Sequence, residues 1–218
     1  MNVGRDLRAS IVAVVAFTAL LGLAYPLGMT GISQVLFPGS ADGSRIERDG
    51  TLVGSKLIGQ DFTKRIPNPA KKGPDFVRVP DRRYFQSRPS ATGYSGDVTY
   101  FNNLGPNNAD LAKFMKDQLT EYLRTERPYV PGLERDDIPV DAVTTSASGV
   151  DPHISQANAR IQAHRIAAVR GIPLEGVEKL IDESTDGRGL GFLGEPGVNV
   201  LELNIALDDA SDEEGGPR

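Results

Sequence analysis

The sequence predicts an α/β (α+β) domain carried on one N-terminal transmembrane helix. Three observations predict it. Residues 9–29 hold no charged side chain and are mostly apolar. Beyond residue 49, segments with helical spacing alternate with short segments of strand character. No cysteine occurs among the 218 residues, so an ordinary apolar core must hold the domain, without disulfides or thiolate-bound metal.

The apolar run Ala9–Met29 would span about 31 Å as a helix, which matches the hydrocarbon core of a bilayer. Arg5 and Arg8 precede it, and the next basic residue is Arg45. The positive-inside rule therefore places residues 1–8 in the cytoplasm, the span at 9–29 in the cell membrane, and the domain on the extracytoplasmic side. Tyr25 sits where amphipathic aromatics favour the far interface. A cleaved signal peptide, with Gly22-Leu23-Ala24 as its small-residue site, is the rival reading. The run continues past that site through Leu27 and Met29, which favours a retained anchor; either reading exports the domain.

Residues 30–48 read as a connector, with turn-forming Pro38-Gly39-Ser40 and Asp42-Gly43-Ser44. The domain proper is predicted over 49–208. Thr51–Ile58 reads as a strand or hairpin piece. Residues 63–83, rich in Pro and basic residues, read as an exposed irregular insertion. Asn107 or Asn108 caps a helix through Leu111, Phe114, Met115, Leu119, Tyr122 and Leu123, ended by Pro128 and Pro131. Ile138–Val143 is a strand candidate. Ser155 caps a helix over Gln156–Arg170 that stops at Gly171, with Ala157, Ile161, His164 or Ala168, Ile166 and Val169 as its apolar face. Pro173 opens a further helix through Ile181. The glycine-rich stretch 187–197 reads as a tight loop needing positive φ. Leu201–Leu207 alternates strictly and reads as a strand. Residues 209–218 read as an acidic, disordered tail.

The formal net charge is −5, and the first thirty residues carry two Arg against one Asp, so the remainder is more acidic still. That argues against nucleic acid and against docking on anionic lipid. His153 and His164 are the only histidines and lack partners at helical spacing, so no metal site is expected. Ser148, Asp151 and His153 are the residue types of a serine hydrolase, but no Gly-x-Ser-x-Gly elbow is present. The simpler use of Asp151–Ser155 is a turn followed by a helix cap. Gly187–Gly194 lacks the Gly-Lys-Ser/Thr of a phosphate loop and the preceding strand of a dinucleotide fold. Gln162 and Arg165 share a helix face, where Arg165 could hold a carboxylate or a phosphate; a surface ion pair is the simplest use. An accessory subunit of a membrane complex and a tethered binding module both fit these features; an enzyme fits poorly.

Several segments in order carry a resemblance. Gly54–Gln60, Tyr84-Phe-Gln-Ser-Arg-Pro-Ser-Ala91, Asn103–Asn107, Ile138–Asp141, Thr145–Ser155, Gln162…Arg165…Arg170-Gly171 and Leu190–Asp208 resemble the C subunit of the Kdp potassium-transporting P-type ATPase, the KdpC family. The resemblance implies three partners: a channel-like potassium-translocating subunit, an ATP-hydrolysing P-type subunit and a very small membrane subunit. It implies a non-catalytic role that assembles the complex and raises the apparent ATP affinity of the pump subunit. No tightly bound cofactor is implied; ATP would enter through the complex, whose transported ion is potassium. Gln162 and Arg165 are then the nucleotide-related candidates. Asp151, His153, Ser155, Glu195, Asn199 and Glu202 are the signature candidates for interaction. The basic stretch 63–83 and residues 97–103 depart from the family pattern.

Overall fold

The computed structural model describes residues 3–68, 75–98 and 103–213, with side chains through 211. The chain forms two compact units, Met1–Ser55 and Lys56–Arg218. The hairpin opening the predicted domain therefore belongs to the anchor unit.

In the first unit, α1 (Val3–Ala19), one π turn at Leu20–Ala24 and α2 (Tyr25–Leu36) form a continuous helix. It is the one helix among the described residues long and apolar enough to cross a membrane, and it is longer than the 21-residue run predicts. The π turn lies just before Pro26, whose ring crowds the carbonyl four residues back and which supplies no N–H; the Tyr25 N–H bonds the Leu20 carbonyl, five residues back. Much of the predicted connector is helical, since Pro38 opens a further turn, α3 (Pro38–Ala41). Strands β1 (Arg45–Arg48) and β2 (Thr51–Ser55) then form a hairpin. Its two-residue Asp49-Gly50 turn has positive φ at both positions, the geometry that suits strand twist.

The second unit begins with a correction. Residues 63–83 are not irregular throughout: β3 (Thr63–Pro67) pairs antiparallel with β4 (Phe76–Pro80). Pro67 and Pro80 stand at strand ends, where a missing N–H is tolerated, and Ile66 pairs with Val77 between them. Pro69 and Pro74 lie outside the described residues. Helix α4 (Ala109–Glu126) starts as expected, with the Asn108 side chain accepting from the N–H groups of Asp110 and Leu111. The strand expected at 138–143 is absent: two 3₁₀ turns at Arg135–Asp137 and Val140–Ala142 flank Pro139 instead. Helix α5 (Gln156–Arg170) runs from the Ser155 cap to Gly171 in the left-handed conformation. Helix α6 is Leu174–Glu183.

A small antiparallel sheet has the order β5 (His153–Ile154), β7 (Gly197–Asn199), β6 (Thr185–Asp186). The second correction follows it. Leu201–Leu207 is not a strand but part of α7 (Val200–Glu213). The buried positions are Val200, Leu203, Asn204 and Leu207, the face of a helix, with Leu201 buried beside them. The Asn199 Oδ1 accepts from the Glu202 N–H at 3.2 Å and so caps the new helix. Helix α7 continues through Glu213 and so runs into the stretch 209–218 expected as a disordered tail; residues 214–218 lie outside the described set. The core gathers Phe85, Ile154, Ala163, Ile166, Val177, Ile181, Val198 and Leu203 from these elements.

Candidate functional site

Helix α5 presents two adjacent stripes to the interior. Ala159, Ala163 and Ile166 face the apolar core. Asn158, Gln162 and Arg165, at i, i+4 and i+7, form a buried polar stripe. The expected outward role of Arg165 is overturned: its exposure is 0%. Its Nε donates to both carboxylate oxygens of Glu126 on α4, at 2.9 and 3.1 Å. Its Nη1 donates to the Arg82 and Tyr84 carbonyls, and its Nη2 to Gln162 Oε1 at 2.9 Å.

Gln162 is equally committed. Its Oε1 also accepts from the Gln86 N–H at 2.8 Å, and its Nε2 donates to the Gln86 carbonyl and to Asn158 Oδ1. Asn158 continues the chain by accepting from the Tyr122 hydroxyl at 2.8 Å and donating to Asp141 at 2.9 Å. Asp141 in turn accepts from the backbone N–H and hydroxyl of Ser155. Ser155 Oγ accepts from the Asn158 N–H, so the predicted cap forms with a carboxylate behind it. The network runs Asp141, Asn158, Gln162, Arg165, Glu126 and ties α4, α5 and the segment 82–86 together. Burial raises the Glu126 carboxyl above its ordinary value, against the pull of Arg165. Burial likewise raises the Tyr122 hydroxyl.

Asp151, His153, Ser155 and Glu195 share the wall of a second feature, a cleft of about 340 Å³ that also takes in Arg88 and Asp186. His153 lies on β5 and reaches Asp186 on β6 across Gly197 of the middle strand. The reach depends on that glycine, because a Cβ there would stand 3.1 Å from His153 Cβ. His153 Nδ1 is 3.7 Å from Asp151, and Nε2 bonds Asp186 at 2.9 Å. The two carboxylates, Asp151 first, raise the imidazole above its ordinary value. His153 and the guanidinium of Arg88, 3.0 Å away, hold Asp151 below the usual carboxylate range. No cluster of metal-ligand type occurs among the described residues.

The other signature candidates lie elsewhere. Asn199 is buried, and its amide donates to the Lys56 carbonyl at 2.9 Å. Glu202 pairs with the Lys56 ammonium. Together they fix the start of this unit to α7. Glu195, on the wall of the cleft, is highly exposed and pairs with Arg188 at 3.0 Å. Sequence reasoning missed Glu126, Asp141, Gln86 and Arg88 as partners. Gln86 and Arg88 stand in the segment Tyr84–Ala91 that carries the resemblance, and that was the available signal. Glu126, near the end of a predicted amphipathic helix, gave none.

A further cavity of about 270 Å³ lies beside the polar stripe, walled by Phe62, Gln86, Arg88, Tyr94, Tyr122 and Gln162 among others. Burial pushes the Tyr94 hydroxyl up to about 12.

Comparison with known proteins matches nearly the whole length of this chain. The family profile described as "KdpC: K+-transporting ATPase, c chain" matches residues 7–209. A potassium-transporting ATPase KdpC subunit of Streptomyces avermitilis is 43% identical over 216 residues, covering 95% of each chain. One of Rhodospirillum rubrum is 45% identical over 207 residues, covering 94% of this chain and 96% of its own. One of Bradyrhizobium diazoefficiens is 42% identical over 221 residues, covering 95% and 98%. The match spans both the long apolar helix and the domain with its polar stripe, and the chain belongs to the KdpC family, the c chains of the potassium-transporting ATPase.

Proposed function

We propose that this chain is a non-catalytic accessory subunit of an ATP-driven potassium-uptake complex in the cell membrane. One observation carries the reading: a single family match runs from the membrane-length helix through the whole domain, residues 7–209, with relatives of nearly equal length. Its companions are a potassium-translocating channel-like subunit, an ATP-hydrolysing P-type subunit and a very small membrane subunit. Arg5 and Arg8, in the first turns of the helix ahead of its charge-free run, support a cytoplasmic N-terminus and an extracytoplasmic domain.

The subunit raises the ATP affinity of the pump subunit without touching ATP. Two points support an indirect route. ATP is cytoplasmic, on the other side of the membrane from the domain. Gln162 and Arg165, the nucleotide-related candidates, are buried and spend their donors on Glu126, Gln86, Asn158 and two backbone carbonyls. The effect is then a coupling free energy between sites on opposite faces, carried by the membrane helix.

A C-terminally tagged chain, solubilised gently from cells limited for potassium, tests the assignment. Recovery of a P-type ATPase and a potassium-translocating subunit in fixed ratio is expected. Recovery of the folded chain alone refutes it and favours a membrane-tethered ligand-binding module. The cavity beside Gln162 is the observation on that side, since Thr63 Oγ1 and Arg88 Nε on its wall have no hydrogen-bond partner among the described residues. It is smaller than the usual 300–1,000 Å³ of ligand sites, which ranks this reading second.

A further inference from the structure

The helix Val3–Leu36 is longer than a bilayer needs. Residues 9–36 are helical and carry no charge; at about 1.5 Å per residue they measure about 42 Å, against a hydrocarbon core of about 30 Å. Tilt alone would have to reach about 45° to absorb the difference, beyond the usual range for membrane helices. The last two turns therefore leave the core. At a moderate tilt of about 30° they fall in the polar layer beside it, which is about 6 Å deep on each side.

The composition changes at the same point. From Ile11 to Gly28 the side chains are apolar all round the helix, apart from Thr18 and Tyr25. Beyond it, Met29, Ile32, Val35 and Leu36 continue one apolar face, at i, i+3, i+6 and i+7, while Thr30, Ser33 and Gln34 form the opposite face. All four apolar side chains are exposed, Val35 at 80%. The helix stops at Phe37, itself exposed, and Pro38 opens a new turn. The next charge is Asp42.

This order selects the occupant. A groove on another protein would meet an apolar stripe at any depth along the helix. A bilayer is apolar on every side of a helix in its core, and on one side only of a helix lying aslant in its polar layer. The surface of this helix makes that change once, at its exit, and the stripe is continuous with the all-round apolar surface of the span. We propose that residues 29–37 form an amphipathic collar in the polar layer of the bilayer, at the end of the helix away from the N-terminus. Met29, Ile32, Val35 and Leu36 face phospholipid acyl chains, Ser33 and Gln34 face the headgroups, and Phe37 marks the outer edge. The collar fixes the depth of the hairpin that follows: α3 begins at the next residue, and the Ser55 hydroxyl of β2 bonds the Gly43 carbonyl at 2.7 Å. The inference rests on the membrane-spanning helix and is independent of the subunit assignment.

The chain has no cysteine, so each single substitution carries the one reactive thiol. Ile32→Cys, Gln34→Cys and Val35→Cys are made in the full chain, with Leu23→Cys as the core control and Glu47→Cys, at an exposed position of β1, as the water control. Membrane fragments open on both sides are treated with a water-soluble maleimide, and each rate is divided by the rate in denaturant. A thiol among acyl chains holds little thiolate, so Gln34→Cys is expected to react at least about tenfold faster than Ile32→Cys and Val35→Cys. Leu23→Cys is expected to stay unlabelled, and the pattern to be the same in cells without the companion subunits. Equal rates at the three test positions overturn the proposal, whether all are as fast as Glu47→Cys, as in a stalk standing in water, or all as slow as Leu23→Cys. Protection of Ile32→Cys and Val35→Cys only when the companions are present also overturns it, since a protein then covers the face. Release of the chain by a carbonate wash overturns the anchor itself, which every labelling outcome leaves standing.

Discussion

The anchor helix and helix α5 invert the usual relation between polarity and exposure, in opposite directions. Along Val3–Leu36 the large apolar residues, among them Val14, Phe17, Leu21 and Leu27, all face outward. Along α5 an arginine, a glutamine and an asparagine face inward. Both patterns satisfy one rule, that every group finds the partner its medium denies or supplies. The anchor satisfies its backbone within itself and offers hydrocarbon to lipid. Helix α5 meets hydrogen-bond partners inside, so Glu126 and two carbonyls offset part of the cost of burying Arg165.

The largest expected effect breaks the α5 side of that comparison. Arg165→Ala leaves Glu126 buried without its counter-ion and is expected to cost about 3–5 kcal/mol of stability. Denaturant unfolding of the full chain in detergent measures it. The pair Arg165→Met with Glu126→Leu sharpens the result and is expected to cost clearly less than the single change. Equal losses would mean that the pair itself, and not the orphaned charge, matters.

The anchor side breaks next. Leu21→Arg places a charge midway along the helix and is expected to oppose membrane insertion by about 2.5–3.5 kcal/mol. A glycosylation-mapped insertion assay reads the inserted fraction. Unchanged insertion would show that this helix does not span the bilayer.

Ser155→Ala is expected to cost about 1–2 kcal/mol, since it removes a helix cap and a bond to Asp141 together. A loss no larger than that of an exposed serine such as Ser148 would show the network to be loose there.

The smallest effect concerns pH. His153 is raised in the folded chain, so its contribution is complete below the ordinary histidine value. It is lost as pH rises through the folded value. Asp151 is depressed, so its contribution is complete above the ordinary carboxylate value and is lost as pH falls through the folded one. The charged groups around the imidazole are Asp151, Asp186, Arg88, Asp141 and Glu195. His153→Gln is therefore expected to cost most at mildly acidic pH and to approach wild type at alkaline pH. Solvent screening keeps the difference small, because the imidazole is about one-third exposed. Melting curves across pH check it, and a deficit that grows toward alkaline pH would reverse the assigned sign.

Much of this was legible in the sequence where the signal was local. The charge-free run, the Asn108 and Ser155 caps and the Gly171 stop were readable because each depends on residues within one turn. The interior was not. Strict alternation over Leu201–Leu207 also places Leu203 and Leu207 four apart, and only the Asn199 cap and the Phe85 backbone decide for a helix. Asn204 reaches Phe85 across the chain, bonding its N–H at 2.9 Å and its carbonyl at 3.0 Å. The burial of Arg165 likewise depends on Glu126, 39 residues away, which no spacing rule connects to it. The motifs that carried the family resemblance include these long-range partners, such as Gln86 with Gln162, which is why the resemblance reached further than periodicity did.

The central claim is that the polar stripe of α5 is framework and that this subunit acts on ATP affinity from a distance. Photolabelling the solubilised complex with an azido-ATP probe, followed by peptide mapping, tests it most directly. The account predicts label on the P-type subunit and none on this chain, whether or not Gln162 is intact. A labelled peptide of this chain containing Gln162 or Arg165, competed away by unlabelled ATP, would contradict it.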